Sequence, residues 1–160
     1  MEKVIWKPQG KEKSQMYDFL NQMNIKYNLE ITNYKELHKW SVENISDFWK
    51  EIWHYSRIVY SRSYTRVVEN LGDMINSKWF LNAKLNFAEN LLQFKDDKIA
   101  IYYKNEDNEL CNLSYADLYV KVERLSHSLR KMGIKENDRV VGYLPNIPEP
   151  IIAMLATTSI

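Results

Sequence analysis

Three histidines, one cysteine and a scatter of carboxylates are the residues of this 160-residue chain that could carry covalent, acid–base or metal chemistry. His38, His54 and His127 share no i, i+4 spacing with a carboxylate partner, so the pattern of a zinc site is missing. Cys111 lies in a strand-like run away from any helix N-terminus, and reads as packing rather than as a nucleophile. Glu106 and Asp107 are paired carboxylates, but they sit in a turn-forming stretch and read as solvated. None of GxxxxGK[ST], GxGxxG or GxSxG occurs, and with only 4 glycines the chain offers no phosphate cradle. Arg57, Tyr60, Arg62, Tyr64 and Arg66 interleave cations with aromatics, as single-stranded nucleic-acid binders do. A net charge of +1 argues against that use, and aromatic anchors with snorkelling arginines explain the pattern better. No catalytic, cofactor-binding or metal-ligating residue is assigned, and neither nucleic acid nor membrane is expected as a partner.

The elements that would position these residues follow from apolar spacing. Met16, Phe19, Leu20 and Met23 form one helical stripe, with Ser14 as the N-cap. A second helix starts at Asn33, with Glu36 reciprocal to it and Tyr34, Leu37 and Trp40 facing inward. A third, capped by Asn44 or Ser46, carries Ile45, Phe48, Trp49, Ile52 and Trp53. A short fourth begins at Asn86, with Glu89 in the box position and Phe87, Leu91 and Phe94 as its apolar side. From Arg57 to Leu85 the periodicity is poor, which predicts irregular chain wrapped on a larger body.

At Lys98 the texture changes. Residues 99–103 and 109–113 predict a hairpin about the turn at 105–108. Ser114, with Asp117 in the reciprocal position, caps a long helix. Its stripe is Tyr115, Leu118, Tyr119, Val122, Leu125, Leu129 and Met132, and Gly133 ends it in the left-handed conformation. Residues 139–144 predict a third strand, Pro145 stops it, and Asn146 caps a last helix with Pro148 and Pro150 in its first turn. The order strand, long helix, strand, helix predicts a β-α-β-α unit of a doubly wound parallel sheet. The last helix, from Ile151 to Ile160, is apolar on most sides and shows no C-cap in the sequence. Such a helix, beside an unfinished parallel sheet, predicts the front end of a longer protein.

Several strings then match one family. Tyr34-Lys35-Glu36-Leu37-His38-Lys39-Trp40-Ser41-Val42-Glu43-Asn44 followed by Phe48-Trp49 resembles the opening of acetyl-CoA-synthetase-type ligases. The run from Trp79 to Asn90 resembles the "WFPGAKLNYAEN" string of the same enzymes. Residues 133–140, then Tyr143-Leu144-Pro145-Asn146-Ile147-Pro148-Glu149 and Ala153-Met154-Leu155-Ala156, resemble the first βα unit of their adenylating domain. The finer resemblance is to the acetoacetyl-CoA synthetase (acetoacetate–CoA ligase) branch of this acyl-adenylate-forming, ATP-dependent AMP-binding superfamily. Leu81-Asn82 stands where that family has a Pro-Gly turn, and Asn137 where it has glycine. Asparagine tolerates positive φ, so both turns are expected to survive. Pro150 replaces a small helix former and is expected to shift that helix start by a residue.

The resemblance implies an α/β fold. Residues 1–95 would be an N-terminal helical region wrapped on residues 96–160, the incomplete start of a doubly wound AMP-binding domain. It implies a cytoplasmic ligase of lipid and ketone-body metabolism that joins acetoacetate to CoA through acetoacetyl-AMP, with ATP, CoA and Mg²⁺. The phosphate loop, the acidic nucleotide motifs and a mobile lysine of that family would all lie beyond Ile160. These residues alone are therefore expected to bind no cofactor, to be inactive, and to have the rest of the adenylating domain as their partner. Two alternatives stand beside this reading: a short-chain acyl-CoA synthetase for acetate or propionate, and a non-catalytic interaction module derived from the ligase front end.

Overall fold

The structure, a computed structural model, describes residues 9–104, 106 and 109–160. The sequence readings on Asn105, Asp107 and Asn108 of the hairpin turn lie outside them. The chain divides into two compact units, Met1–Ile58 with Arg66–Trp79, and Val59–Thr65 with Phe80–Ile160.

The first unit is helical. After a 3-10 turn at Lys11–Lys13, the Ser14 hydroxyl accepts from the Tyr17 amide at 3.3 Å and starts α1 (Gln15–Tyr27). Asn28, at φ 52°, ends α1 in the left-handed region that asparagine tolerates. The Asn24 amide then grips Ile31 from both sides, donating to its carbonyl at 2.8 Å and accepting from its N–H at 2.9 Å. Asn33 caps α2 (Tyr34–Glu43) as its spacing predicts, accepting from the Glu36 amide at 3.2 Å. The return bond of the box lands one residue early: Glu36 accepts from the Thr32 N–H at 2.7 Å and its hydroxyl at 3.0 Å. α3 (Ile45–Tyr55) starts directly at Asn44, whose side chain caps nothing and instead donates back to the Trp40 carbonyl. Phe19, Leu20, Met23, Ile31, Leu37 and Trp40 form the core, flanked by Phe48, Ile52 and Tyr55. Phe19 meets Phe48 and Tyr55 edge-on at 6.0 and 5.2 Å, a favoured aromatic geometry.

The stretch expected to be irregular contains two short strands, β1 (Arg66–Glu69) and β2 (Lys78–Leu81), paired in one sheet. Their β-branched and aromatic residues are in strands too short for alternation to register. The loop between them is held by Asp73, whose carboxylate accepts from the Ile75 and Asn76 amides and the Asn76 side chain. Those bonds, the Asn76 side chain first, hold the Asp73 carboxyl below its ordinary pKa.

In the second unit, α4 (Phe87–Leu91) is capped by Asn86 as expected, but its buried side is not the expected one. Ala88 and Leu92 are buried, whereas Phe87, Leu91 and Phe94 are exposed. Close approach of neighbouring elements favours the small residue, so the largest apolar side chains of this helix lie on its other face. β3 (Ile99–Lys104) and β4 (Leu110–Ser114) form the expected antiparallel hairpin, with Tyr103 opposite Cys111 and a bulge between Ile99 and Ile101. Ser114 caps α5 (Tyr115–Lys131), accepting from the Asp117 amide at 3.1 Å and donating to its carboxylate at 2.8 Å. Gly133, at φ 91°, closes it: its N–H reaches Arg130 O, and that of Ile134 reaches Leu129 O, the double bond of a Schellman end.

Residues 139–144 form no strand, contrary to the sequence pattern. A strand needs a second backbone to satisfy its N–H and C=O groups. None pairs with this segment among the described residues, and β3 and β4 pair with each other antiparallel. α6 (Pro148–Thr158) starts after Ile147 rather than Asn146, with Pro148 at a position where a missing N–H costs nothing. It buries Ile152, Leu155 and Ala156 with Ala88, Leu92, Leu113, Leu118 and Val122, and leaves Ile151 and Met154 exposed.

Candidate functional site

The residues that the sequence singled out do not converge. His38 lies on α2 with its ring 6.0 Å from Tyr34, His54 on α3 and His127 on α5. Among the described residues, no three His, Cys, Asp or Glu side chains group as metal donors. Cys111 is half-buried opposite Tyr103. Burial, Cys111 and Glu149 together push the Tyr103 phenol above its ordinary pKa. Glu106 is exposed, and Asp107 lies outside the described residues. The arginine–tyrosine run is engaged locally. Arg62 Nε donates to the Asn82 carbonyl at 2.6 Å, Arg66 pairs with Glu69 at 2.9 Å, and Tyr64 stacks edge-on with Phe80 at 5.4 Å.

One ionic cluster around a buried carboxylate escaped the sequence reading. Glu51, 4% exposed on α3, accepts from Lys26 Nζ at 2.6 Å and from the Tyr27 hydroxyl at 2.9 Å, both on α1. Burial pushes its carboxyl up. The bonds from Lys26 and Tyr27 and the charges of Lys26 and His54 outweigh it, leaving Glu51 below the ordinary carboxylate pKa. Every acceptor there is matched by a donor, so the cluster ties two helices and leaves no free base. No spacing within α3 announces it, because its partners come from another helix.

In the second unit a groove of about 580 Å³ lies between α4, α5 and the end of α6. Lys95 lies 3.7 Å from the Tyr119 ring centroid, a cation–π contact. Glu89 and Glu123 balance Lys95 and Arg130 around the groove. Ser126 is buried and donates to the Glu123 carbonyl. These groups include no nucleophile paired with a base and no nest of backbone amides. The groove can hold elements together; it has no bond-breaking set of its own.

The Trp79–Asn90 string proves structural in its details. Asn82, at φ 63°, keeps the turn where the pattern has glycine, and its amide donates to the Thr65 hydroxyl at 3.0 Å. Asn90 grips Val59 from both sides, accepting from its N–H at 2.8 Å and donating to its carbonyl at 2.9 Å. Asn86 caps α4 through its oxygen while its nitrogen donates to the Thr158 carbonyl at 2.8 Å.

The family profile described as "Acetyl-coenzyme A synthetase N-terminus" matches residues 34–91, and that described as "AMP-binding enzyme" matches residues 87–160. An acetoacetyl-CoA synthetase of Xenopus tropicalis is 44% identical over 99% of this chain. The solved structure of acetoacetyl-CoA synthetase from Streptomyces lividans superposes on 98% of the chain with a TM-score of 0.85 at 31% identity. The chain is homologous to the N-terminal part of acetoacetyl-CoA synthetases. The expected α/β fold of that part is the fold found. A malonamoyl-CoA synthetase of Penicillium aethiopicum is 36% identical over 99% of the chain. The chain spans about a quarter of the length of the curated relatives it matches, 24% and 23% for these two.

Proposed function

We propose that this chain is the N-terminal scaffold of an acetoacetate–CoA ligase, with residues 1–95 as a helical region and residues 96–160 as the opening of its AMP-binding domain. The observation that carries the reading is identity of 44% with an acetoacetyl-CoA synthetase across nearly the whole chain. In the proposed reaction the acetoacetate carboxylate attacks the α-phosphorus of ATP and releases pyrophosphate. The CoA thiol then takes the acyl group and releases AMP.

ATP and CoA are substrates of that complete enzyme, and Mg²⁺ would neutralise phosphate charge in it. The described residues do not fit these groups: they offer neither a glycine-rich cradle nor a cluster of metal donors. No step is therefore assigned to a residue of this chain. Its part is to build the first hairpin and helices of the domain that holds the site. The exposed apolar run at Val140, Val141, Tyr143 and Leu144, with Ile151 and Met154, is the surface we assign to the rest of that domain. A cytoplasmic location belongs to the same proposal.

The test is acetoacetate-dependent ATP–pyrophosphate exchange by the full-length gene product and by the 160-residue chain. Exchange by the former alone is expected. Sustained exchange by the short chain refutes the scaffold role. The malonamoyl-CoA relative makes another small acid the second reading, which a panel of acetate, propionate, malonamate and acetoacetate decides.

A further inference from the structure

The end of α6 has no C-cap in its own sequence, yet its carbonyls are matched one by one. Thr157 Oγ1 donates back to Ala153 O, Thr158 Oγ1 to Met154 O, and Ser159 Oγ to Ala156 O. The Ser159 N–H takes Leu155 O and the Ile160 N–H takes Thr157 O. The two carbonyls left over are taken by other elements: Thr158 O by Asn86 Nδ2 and Ser159 O by Arg130 Nη2, each at 2.8 Å. The guanidinium also places a positive charge at the negative end of the helix dipole.

We infer that Asn86 and Arg130 are positioning residues, which clamp the end of α6 between the N-terminus of α4 and the last turn of α5 and so fix the path of the chain beyond Ser159. Neither is a core residue: Arg130 is exposed and Asn86 half-buried. Their bonds are not needed to bury the apolar face of α6, which Ile152, Leu155 and Ala156 already bury. What they determine is direction. Two donors from two different elements fix the last peptide planes in a way that one helix's own hydroxyls cannot. The inference rests on the ligase reading for its consequence, because catalysis is sensitive to small misplacements of the segments that carry it.

Asn86→Asp separates the two duties of that side chain. Its carboxylate still accepts from the Glu89 amide, but it cannot donate to Thr158 O. Arg130→Met removes the second clamp, and Arg130→Lys retains a cationic donor. In the 160-residue chain, Asn86→Asp and Arg130→Met are expected to speed amide exchange at Ser159 and Ile160 by about tenfold, with the middle of α5 unchanged. Unchanged exchange at those two amides overturns the inference. In the full-length ligase, each variant is expected to lower kcat on the order of tenfold or more at unchanged KM for ATP, with partial recovery in Arg130→Lys. Full activity, or a loss that only follows the loss of folded protein, also overturns it. An inactive full-length wild type together with the expected exchange result refutes the ligase reading and leaves the clamp standing.

Discussion

Glu51 and Gly133 show at the scale of single residues what holds this chain. Glu51 is buried with a lowered pKa, so folding favours its charged form. Its contribution to stability is full above the ordinary value of 4.5 and is lost as pH falls through the lowered folded-state value. Glu51→Gln is expected to cost about 1–3 kcal/mol in urea denaturation at pH 7, because the buried carboxylate that accepts from half-exposed Lys26 loses its charge-assisted bond. The same substitution should flatten the acid limb of the stability curve below pH 4.5. A variant as stable and as acid-sensitive as the wild type contradicts this. Gly133 gives a cleaner case, since a Cβ there would meet nothing within 4 Å. Gly133→Ala is nevertheless expected to cost about 1–2 kcal/mol, purely from its positive φ.

Among the elements, α4 reverses its sequence pattern and gives the sharpest test of the packing. Ala88 is fully buried, and Phe87, one residue away, is 54% exposed. Ala88→Leu is expected to destabilise by about 1–3 kcal/mol through overpacking. Phe87→Ser is expected to stay within about 0.5 kcal/mol in the 160-residue chain. Equal effects of the two, measured by thermal melts, would mean that the helix packs on the face that the sequence suggests. Four helix starts were legible because a cap is a local bond: Ser14, Asn33, Asn86 and Ser114 all accept the N–H that their spacing assigns to them, whereas α3 and α6 start without a side-chain cap. What was not legible depended on other parts of the chain. The end of α6 is capped by Asn86 and Arg130, far away in sequence. Residues 139–144 have strand composition, but a ladder also requires a neighbour that no local pattern supplies. Apolar residues lie on both faces of α4, so its pattern could not reveal which face meets α5 and α6.

For the whole molecule, the resemblance in the strings and the fold agree, while among the described residues no three His, Cys, Asp or Glu side chains group as metal donors. Both follow if the chain is scaffold. The motif asparagines Asn82, Asn86 and Asn90 illustrate it, each holding backbone or a turn in place. Val141 and Tyr143 stand out on the surface at 92% and 105% exposure. Replacing both by lysine is expected to reduce binding of an apolar dye by the 160-residue chain without lowering its melting temperature, because neither is in a core. The most direct measurement is acetoacetate-dependent ATP–pyrophosphate exchange by the full-length gene product. Exchange that requires acetoacetate, and that is faster with it than with acetate, propionate or malonamate, is the expected result; exchange with none of these acids would contradict the ligase assignment.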